Sequence, residues 1–532
     1  MSKAVCLDLP SSADIAELRA IAGSLPTNAL CVEIGSYLGA SALVIARALA
    51  PGSRLWCVDT WMNDGMSEGR RDTFAEFRAN TRPFGEQIAP LRADSRQAAT
   101  RFSDRSVDFL FIDGDHSFEG CSADISAWLP KMKPGGIVAF HDVGWAEGVQ
   151  RAIRTLFFPI QSGPGRFLPN LYWGRIGADA PQPATSPSAF VCVVSSKPEP
   201  DAADIARIAP GLGGAAWTWI FAGRDASPAL APRAQTGGRI ASADAVGLHA
   251  GRHKALQLAR EEDVVVYLDD DVTLPEGWLA GMLEAFEDPD VHIAGCRYLP
   301  AWEHPPPAWL EAMWIAREDG FRTLGNLSLL DGGEEARDCD PTLVWGLGFA
   351  VRRDTAIKLA GFHPDGLPWE LRRYRGDGET GLSAKAALLG LRARYQGKTF
   401  LHHAVPAERM TLAYLERRAF LQGISDSFTH IRRAGAVPPT PPAGWQDRLR
   451  PLKRGLHDRY LKLRAAAGDA GAVKQLAARA HFEGMRFHEA EVRADAALLH
   501  WVLRPDFLDC RVSHASTDDP LRRSRVDREP RS

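Results

Sequence analysis

The sequence lacks the features that mark several classes of protein. No apolar run approaches the roughly 18 residues that a membrane-spanning helix needs, and the 8 cysteines form no Cys-x-x-Cys pair. Scattered cysteines fit thiols of a reducing compartment better than a disulfide framework or a zinc site. Lys and Arg number 63 against 66 Asp and Glu, so the formal net charge is −3, which predicts no nucleic-acid partner. We therefore expect a cytoplasmic protein, and the N-terminal residues show no signal-peptide pattern.

The length of 532 residues exceeds what one hydrophobic core usually serves, so two or three domains are expected. Two proline-rich stretches, residues 179–188 and 434–444, are predicted to be extended linkers. They separate three parts, 1–178, 189–433 and 445–532. The first two parts each alternate apolar β-type runs with helical patterns, which predicts two α/β domains with parallel sheets.

The third part is rich in Ala and Arg and is predicted to be helical from Gln446 to Leu503. It ends in the basic sequence RRSRVDREPRS, which has too few apolar residues to fold and is expected to be a mobile tail. The composition is compatible with packing on the second domain, with peripheral contact to the inner face of a membrane, or with dimer formation. A solvated helical appendage is the simplest interpretation.

A glycine turn in the first part follows an apolar strand run. Ala29 to Ile34 leads into Gly35-Ser-Tyr-Leu-Gly39, and a helical pattern follows. This order places backbone N–H groups at the carboxyl end of a strand, where open α/β sheets bind ligands. Glu33 directly before the turn suits a cationic ligand better than a pyrophosphate. The next strand ends in Asp59, where such sheets often carry an acidic residue that binds ribose hydroxyls.

Two later strand runs of the first part end in polar side chains. VDFLFI precedes Asp113, and GIVAF precedes His141 and Asp142. Because both strands are expected to end at the ligand-binding edge, the three side chains can supply oxygen and nitrogen ligands to Mg²⁺ or Mn²⁺. His116 lies just past the first of these strands, where it can remove a proton from a hydroxyl. The alternative is a set of solvated polar residues at strand ends.

The motifs VEIGSYLGAS, LWCVDTW, LRADS, FIDGDHSFEG and KPGGIVAFHDV, in that order, resemble a class I S-adenosylmethionine-dependent methyltransferase with a Rossmann-like fold. The most similar subgroup contains metal-assisted O-methyltransferases of sugar and polyketide hydroxyls. The resemblance implies a cofactor site in which the methionine part, the ribose and the adenine contact different residues. These are Glu33, Gly35 and Gly39 for the methionine part, Asp59 for the ribose, and Asp94 with Ser95 for the adenine.

The same resemblance assigns the polar cluster of the first part. It implies that Asp113, His141 and Asp142 hold the divalent metal and that His116 is the catalytic base. The implied reaction is an in-line transfer of a methyl group from a sulfonium to a hydroxyl whose acidity the metal raises.

Three consecutive carboxylates end a strand run in the second part. The run VVVYL is followed by Asp269, Asp270 and Asp271. At about 4 Å and an effective dielectric constant near 20, each pair of carboxylates repels by on the order of 4 kcal/mol. A divalent ion shared with a diphosphate removes that cost. The alternative is a hydrated acidic turn.

Two further motifs of the second part carry candidate chemistry. Asp377 and Glu379 open a predicted helix, whose dipole stabilises them as anions, and either can act as a base. An ordinary helix cap is the alternative. A strand pattern from Tyr395 to Leu401 leads into His402 and His403, where a histidine can bind the ion or face the diphosphate.

The segments LDDD, GFAVRRDTAIKLAGF, GDGETGL and HHAVPAERMT together resemble a family 2 glycosyltransferase with the GT-A fold, over residues 189–433. The resemblance implies inversion at the anomeric carbon. It implies that Asp269 and Asp271 bind the nucleotide sugar through a metal, with Asp270 in the same motif and with His403 as a further candidate ligand. Arg252 and Lys254 lie in the segment that approaches the nucleotide. Whether Asp377 or Glu379 is the base stays open, and the spacing to Leu382 favours Glu379.

Three hypotheses follow. In the first, the protein is bifunctional: it transfers a sugar from a UDP-, GDP- or dTDP-sugar to a glycan or glycolipid and methylates a hydroxyl with S-adenosylmethionine. In the second, only the glycosyltransferase is active and the first domain binds the cofactor or is structural. In the third, the chain is a non-enzymatic scaffold that binds nucleotides. Candidate bases in both domains favour the first two.

Overall fold

A computed structural model describes residues 12–62, 70–177, 187–226, 233–235, 238–260, 262–439 and 450–508. Residues 179–186 and 440–444 of the predicted linkers, together with the predicted basic tail, lie outside the described residues, and the first residue of the second predicted linker, Ala434, belongs to a helix. Contacts divide the chain into two compact units, residues 1–183 and 184–532, with the segments 358–360 and 388–390 grouped with the first. Among the described helices, none has the length and apolar character needed to cross a membrane.

Unit 1 is built on a mostly parallel sheet. Among the described residues, seven strands lie in the order β3-β2-β1-β4-β5-β7-β6, and only β7 and β6 run antiparallel to their neighbours. The central strands are buried almost without interruption, as expected for a parallel sheet covered on both faces. The strands are β1 (Leu30–Ile34), β2 (Arg54–Asp59), β3 (Ile88–Arg92), β4 (Val107–Ile112), β5 (Met132–His141), β6 (Gln161–Phe167) and β7 (Leu171–Ile176).

Helices connect the parallel strands of unit 1, which confirms the predicted Rossmann-like α/β fold. Leu18, Ile45 and Phe77 are completely or almost completely buried and belong to one core cluster with residues of β1 and β2. The helices are α1 (Ser12–Gly23), α2 (Ala40–Ala48), α3 (Phe74–Thr81), α4 (Ser95–Ala99), α5 (Phe118–Trp128) and α6 (Glu147–Ala152).

Unit 2 contains a mixed sheet. Among the described residues, β11, β9, β8 and β12 are parallel neighbours, and β19 then pairs antiparallel with both β12 and β14. The strands are β8 (Ala189–Ser195), β9 (Trp217–Phe221), β10 (Arg233–Gln235), β11 (Gly238–Ser242), β12 (Val264–Asp269), β13 (Val272–Thr273), β14 (Val291–Trp302), β15 (Ile315–Ala316), β16 (Arg322–Leu324), β17 (Leu329–Asp331), β18 (Arg337–Cys339), β19 (Gly348–Arg352) and β20 (Arg392–Val405).

Helices accompany the sheet of unit 2, which confirms the second predicted α/β domain and the helical C-terminal segment. The prediction of a parallel sheet is wrong for this unit, because β19 enters the sheet antiparallel to both of its neighbours. The core cluster of the sheet includes Val266, Trp278 and Tyr298, all of them nearly inaccessible to solvent. The helices are α7 (Ala202–Leu212), α8 (Leu248–Leu258), α9 (Trp278–Leu283), α10 (Ala308–Glu311), α11 (Arg353–Lys358), α12 (Glu379–Leu388), α13 (Leu412–Ala434), α14 (Arg450–Ala466), α15 (Ala470–Ala494) and α16 (Ala496–Val502).

The last strand of unit 2 is longer than predicted. Its apolar pattern suggested an end at Leu401, but β20 continues through both histidines to Val405. The reason is pairing on two sides: Val272 of β13 pairs with His403, while β14 pairs with β20 as far as Val405. Backbone hydrogen bonds to neighbouring strands thus extend a strand beyond its hydrophobic run.

The C-terminal segment differs from the expected solvated appendage. It forms three helices, and α15 packs closely against α13, which agrees with the alternative of packing on the second domain. A Cβ atom added at Gly423 of α13 would overlap the carbonyl oxygen of His481, and one added at Gly484 of α15 would overlap that of Phe420. This reciprocal approach of the backbones requires glycine on both helices. The segment is therefore part of the packed structure of unit 2.

Candidate functional site

The predicted cofactor turn of unit 1 is held in tight contact with two strand ends. The amide of Gly35 donates to the carbonyl of Val58 at 3.0 Å. Gly35 has a φ of +82°, and an added Cβ would overlap the carbonyl oxygen of Asp113. Gly39 also has a positive φ, +88°, at the start of α2. Only glycine combines this conformation with so close an approach, so the turn presents bare backbone at the edge of the sheet.

Glu33 lies beneath this turn and is completely buried. Burial raises the pKa of Glu33 to about 7, although hydrogen bonds from Ser41, Ser36 and Cys57 oppose the shift. The Cys57 thiol donates to Glu33 Oε2 at 3.3 Å. Burial makes ionisation of this carboxyl group unfavourable, and a nearby cation would stabilise the carboxylate form.

Asp59 at the end of β2 organises the same edge. Its Oδ2 accepts from the Tyr37 amide at 2.8 Å and its Oδ1 from the Trp61 amide at 2.6 Å. The Trp61 indole N–H in turn donates to the Tyr37 carbonyl at 2.9 Å. Each carboxylate oxygen keeps a further lone pair, so Asp59 can still accept from a ribose hydroxyl.

Asp94 and Ser95 lie at the start of α4. Asp94 caps this helix by accepting from the amides of Arg96 and Gln97. Ser95 Oγ accepts from the indole N–H of Trp128 at 2.9 Å. These contacts account for both side chains as helix-start residues, and their predicted place beside an adenine stays a prediction.

The structure brings together the three predicted metal ligands of unit 1. Ligand atoms of Asp113, His141 and Asp142 lie within 4.8 Å of one another. Imidazole Nδ1 of His141 is 3.2 Å from Asp113 Oδ1 and 3.3 Å from Asp142 Oδ1. The cause is the sheet register, because Ile112 of β4 pairs with Phe140 of β5 and the next residues therefore face each other. Two carboxylates and an imidazole form a donor set that suits a divalent cation.

The side chains of this cluster shift one another's pKa values. Burial lowers the pKa of His141, but the hydrogen bonds and charges of Asp113 and Asp142 outweigh it and raise the pKa to about 10. The pKa of Asp142 lies well below its usual range, because the hydrogen bonds of His116 and His141 exceed the opposing effect of burial. Without a metal, a proton on His141 therefore offsets part of the negative charge of the cluster.

His116, the predicted base, contacts the same cluster. Its Nε2 is 2.8 Å from Asp142 Oδ2. That hydrogen bond raises the pKa of His116 above its ordinary value. Asn170 Nδ2 and Trp145 Nε1 also donate to Asp142 Oδ1, at 2.7 and 2.9 Å. Sequence reasoning missed both, because Asn170 is remote in sequence and Trp145 belongs to no recognised motif.

The acidic triplet of unit 2 is divided between different neighbours. Asp270 Oδ2 accepts from the Ser195 hydroxyl at the end of β8. Asp269 is the last residue of β12, and its amide donates to the Leu347 carbonyl at 3.0 Å. Burial raises the pKa of Asp269 well above its usual value, although the charge of Arg252 opposes the shift. Burial and the neighbouring carboxylates thus outweigh the charge of Arg252 at Asp269.

Asp271 meets His403 and Arg409, which lie more than 130 residues later in the sequence. Asp271 Oδ2 is 3.2 Å from His403 Nε2 and 2.7 Å from an Arg409 nitrogen. His403 Nδ1 faces the Leu327 carbonyl at 2.9 Å, which places a proton on Nδ1, and its Nε2 also lies 2.8 Å from Arg409 Nη1. Burial opposes ionisation of Asp271, but His403 and Arg409 lower its pKa to about 2.

Glu379 is held by two donors. Its Oε2 accepts from Arg252 Nη1 at 2.9 Å and its Oε1 from the Gly346 amide at 3.1 Å. Although burial opposes ionisation, the charge of Arg252 holds the pKa of Glu379 below its usual range. Arg252 itself is only 2% exposed and also contacts Asp365 at 3.1 Å. The arginine predicted to approach the nucleotide therefore orients the candidate base in this structure.

Asp377, the other candidate base, is enclosed. Its Oδ1 lies 2.5 Å from His363 Nδ1, and its Oδ2 accepts from the Thr429 hydroxyl at 2.5 Å. Burial opposes ionisation, yet the charge and hydrogen bond of His363 and the hydroxyl of Thr429 lower the pKa of Asp377 to about 2. Each carboxylate is engaged through both oxygens, but the side chain of Asp377 is 8% exposed and that of Glu379 is 22% exposed, so Glu379 is the more accessible of the two.

Lys254, the remaining predicted nucleotide contact, pairs with Asp244 at 3.3 Å. Asp244 follows β11 and was not predicted, because it carries no motif of its own. Strand β11 runs parallel to β9, β8 and β12, so Asp244 lies at the same carboxyl edge of the sheet as the acidic triplet that ends β12. A role for either residue in nucleotide binding stays a prediction.

Two family models match parts of the chain, one in each unit. Residues 32–143 match the family model described as a methyltransferase domain, and residues 224–334 match glycosyl transferase family 2. The first match includes the predicted cofactor and metal residues of unit 1. The second includes the acidic triplet but ends before Asp377, Glu379 and His403.

One curated relative is the uncharacterized protein y4gI of Sinorhizobium fredii, 31% identical over 160 residues. The match covers 27% of this chain and 17% of that protein, so the chain spans only a minor part of the relative's length. Solved structures similar to 32% of the chain include an O-methyltransferase from Bacillus cereus in complex with SAH and the O-methyltransferase TomG from Streptomyces achromogenes in complex with SAM. They are 18% and 17% identical, each is covered to 82%, and the TM-scores are 0.25 and 0.26.

The two family matches fall in different units, in the order that the motifs predicted. The chain thus joins a methyltransferase domain to a glycosyltransferase family 2 domain.

Proposed function

We propose that the protein is a bifunctional glycan-modifying enzyme. Unit 2 transfers a sugar from a UDP-, GDP- or dTDP-sugar to a glycan or glycolipid, with inversion at the anomeric carbon. Unit 1 methylates a hydroxyl with S-adenosylmethionine. The observation that carries the proposal is that each family match contains acidic side chains gathered at the carboxyl ends of its central strands.

The cluster of unit 1 fits a divalent cation, because ligand atoms of Asp113, His141 and Asp142 lie within 4.8 Å of one another. In unit 2 the proposed ligands are Asp269, Asp271 and His403, of which Asp271 and His403 lie 3.2 Å apart. The hydrogen bond from His403 Nδ1 to a backbone carbonyl is the outer contact that typically orients a metal-binding imidazole. A divalent cation held by these residues would raise the acidity of a hydroxyl in unit 1 and would balance the charge on a departing diphosphate in unit 2.

In unit 1, His116 takes the proton of the acceptor hydroxyl. Its contact with Asp142 supports this role, because a neighbouring carboxylate orients the imidazole and stabilises the imidazolium that forms. S-adenosylmethionine supplies the methyl group, carried on a positively charged sulfonium. The buried carboxyl group of Glu33 beneath the glycine turn favours a cationic ligand there.

In unit 2, Glu379 takes the proton of the acceptor hydroxyl. Arg252 and the Gly346 amide hold its carboxylate in one orientation and keep it ionised. The partial exposure of Glu379 leaves room for an acceptor, whereas the side chain of Asp377 is only 8% exposed. These contacts support the preference for Glu379 as base.

Titration calorimetry tests the proposal on the full chain. Mn²⁺ should bind at two sites in the wild type and at one site in each of Asp113→Ala and Asp271→Ala. UDP, GDP or dTDP with Mn²⁺ should bind saturably to the wild type and to Asp113→Ala but at least tenfold more weakly to Asp271→Ala. Glu86→Ala and Glu276→Ala, which remove exposed carboxylates of unit 1 and unit 2, are matched controls and should keep both sites.

S-adenosylmethionine should bind saturably as well. Absence of binding by all nucleotides and by S-adenosylmethionine would contradict both activities, and absence of S-adenosylmethionine binding alone would leave only the glycosyltransferase. Mass spectrometry of glycans then tests the reactions in cells. A strain with Asp113→Ala should lose one methyl group, and a strain with Asp271→Ala should lose a whole sugar residue.

A further inference from the structure

An exposed tryptophan lies beside the proposed metal site of unit 1. Trp145 is 64% exposed, more than any other tryptophan among the described residues. The residues on either side of it in the same turn, Val143 and Ala146, are 0% and 4% exposed, so the turn itself is packed against the domain. A single exposed apolar side chain is common on protein surfaces. The position of this one, next to the proposed base, is what distinguishes it.

The backbone of the turn holds Trp145 in place. The amides of Trp145 and Ala146 donate to the Asp142 carbonyl at 3.3 and 2.9 Å. Asp142 has a φ of +60°, and a Cβ atom added at Gly144 would overlap the carbonyl oxygen of Pro169. The turn therefore has one close-packed conformation, and the Cα atom of Trp145 has a fixed place beside the metal ligands.

The indole ring is held as well. Its Nε1 donates to Asp142 Oδ1 at 2.9 Å. The ring centre is 5.1 Å from that of the His116 imidazole, and the two planes are inclined by 80°, an edge-to-face contact that aromatic rings favour. His116 Nε2 in turn lies 2.8 Å from Asp142 Oδ2. One carboxylate thus joins the exposed ring, the proposed base and the proposed metal site.

A fixed and solvent-facing indole beside a base is suited to bind a ring-shaped acceptor. The face of an aromatic ring carries partial negative charge, which attracts the C–H groups on one side of a sugar ring. Because the indole is already held, little of its freedom is lost when a ligand binds. A sugar stacked in this way keeps the hydroxyls of its rim free, so that one of them can approach His116.

We propose that Trp145 is the surface on which unit 1 stacks a sugar ring of its acceptor, so that a ring hydroxyl is the group that is methylated. The inference rests on the proposed methyl transfer and names the class of acceptor for it. The alternative is that Trp145 only orients Asp142 through its N–H group. Asn170 Nδ2 donates to the same carboxylate oxygen at 2.7 Å, so Asn170 provides a matched control for that role.

Steady-state methylation by the full chain tests the proposal. The acceptor is the unmethylated glycan isolated from the strain with Asp113→Ala, and the release of S-adenosylhomocysteine at saturating Mn²⁺ measures the rate. Trp145→Leu should raise the KM for this glycan about tenfold or more while kcat changes less than threefold. Trp145→Phe keeps an aromatic face without the N–H group, and its KM should stay within threefold of the wild type. A wild-type KM in Trp145→Leu, or equal increases in both variants, would overturn the proposal.

Binding measurements separate stacking from the hydrogen bond. With S-adenosylhomocysteine in place of S-adenosylmethionine no methyl group can be transferred, so calorimetry reports the affinity for the same glycan. Any glycan bound by unit 2 contributes equally in all variants. Trp145→Leu should weaken the binding in unit 1 about tenfold, whereas Asn170→Ala should bind the glycan like the wild type at saturating Mn²⁺. An equal loss in Asn170→Ala would assign the effect to Asp142 and would contradict the stacking surface.

The results also separate this inference from the proposed function. If the strain with Asp113→Ala loses a methyl group and Trp145→Leu keeps a wild-type KM, the methyl transfer stands and the role of Trp145 is wrong. If that strain loses no methyl group, the proposed methyl transfer is wrong and the inference fails with it. A higher kcat/KM for catechol than for the glycan would show that the bound ring is aromatic and would overturn the assignment of a sugar.

Discussion

The two acidic clusters are neutralised in different ways. In unit 1, His141 and His116 lie against Asp113 and Asp142. In unit 2, the permanently charged Arg409 joins His403 at Asp271. Histidines can lose their protons when a metal binds, whereas an arginine keeps its charge. Unit 1 is therefore suited to exchanging protons for a metal, and unit 2 keeps a cation beside any diphosphate.

The clusters also differ in how they are assembled. The ligands of unit 1 follow two neighbouring parallel strands, whose register brings them together directly. The site of unit 2 needs a second contribution from β20, which pairs with β13. A site built by long-range pairing depends on more of the fold than one built by adjacent strands.

The largest effect is expected when the proposed base of unit 2 is replaced, and this effect should not depend on unit 1. Glu379→Gln should lower kcat for glycosyl transfer by about 10²- to 10⁴-fold, because the amide cannot accept the acceptor proton. The rate is measured as the release of nucleoside diphosphate from whichever UDP-, GDP- or dTDP-sugar the enzyme uses as donor. Binding of UDP with Mn²⁺ should persist, and Glu86→Ala in unit 1 should leave the rate unchanged. A loss of less than threefold would exclude Glu379 as the base.

Two Gly→Ala substitutions compare a glycine of unit 1, where an added Cβ would overlap other atoms, with a glycine of unit 2, where an added Cβ would meet open space. Gly35→Ala combines a positive φ with overlap at the Asp113 carbonyl, so it should lower the free energy of unfolding by about 2–4 kcal/mol. Gly213→Ala has a φ of +59° but open space, so the cost should be about 1 kcal/mol. Urea denaturation of both variants measures the difference, and equal costs would contradict the close approach at Gly35.

A third prediction concerns pH and applies to unit 1 alone. Because burial raises the pKa of Glu33 from 4.5 to about 7, the folded state holds the proton more tightly. The contribution of Glu33 to stability is present below pH 4.5 and is lost as the pH rises through 7, by at most about 3 kcal/mol. Glu33→Gln should therefore gain stability relative to the wild type between pH 5 and pH 8. A pH-independent difference in unfolding free energy would contradict the shift.

The smallest effect is expected when a hydrogen bond to a proposed metal ligand is removed in one unit only. Asn170→Ala removes a hydrogen bond to Asp142 and should weaken Mn²⁺ binding in unit 1 about tenfold. The site of unit 2 is an internal control, since the outer partner of His403 is a backbone carbonyl that side-chain substitution leaves in place. A calorimetric titration in which both sites weaken equally would show that the effect is not local.

Motifs predicted much of this organisation. Strand runs that end in polar residues indicated both sheets and their ligand-binding edges, because a buried parallel strand must be apolar and its carboxyl end is where side chains become accessible. Asp113, His141 and Asp142 could be grouped for that reason. The roles of Asp377 and Glu379 could not be separated, because their difference lies in burial by His363 and Thr429, which come from other parts of the chain.

By itself, the sequence determined the two α/β domains, their order and the acidic strand ends, since these depend on local hydrophobic patterns and on turns that require glycine. The tertiary structure decided which charges meet. It placed Arg252 against Glu379 rather than at the surface, continued β20 through His403, and packed α15 on α13. Such contacts join residues tens to more than a hundred positions apart, and only the folded chain establishes them.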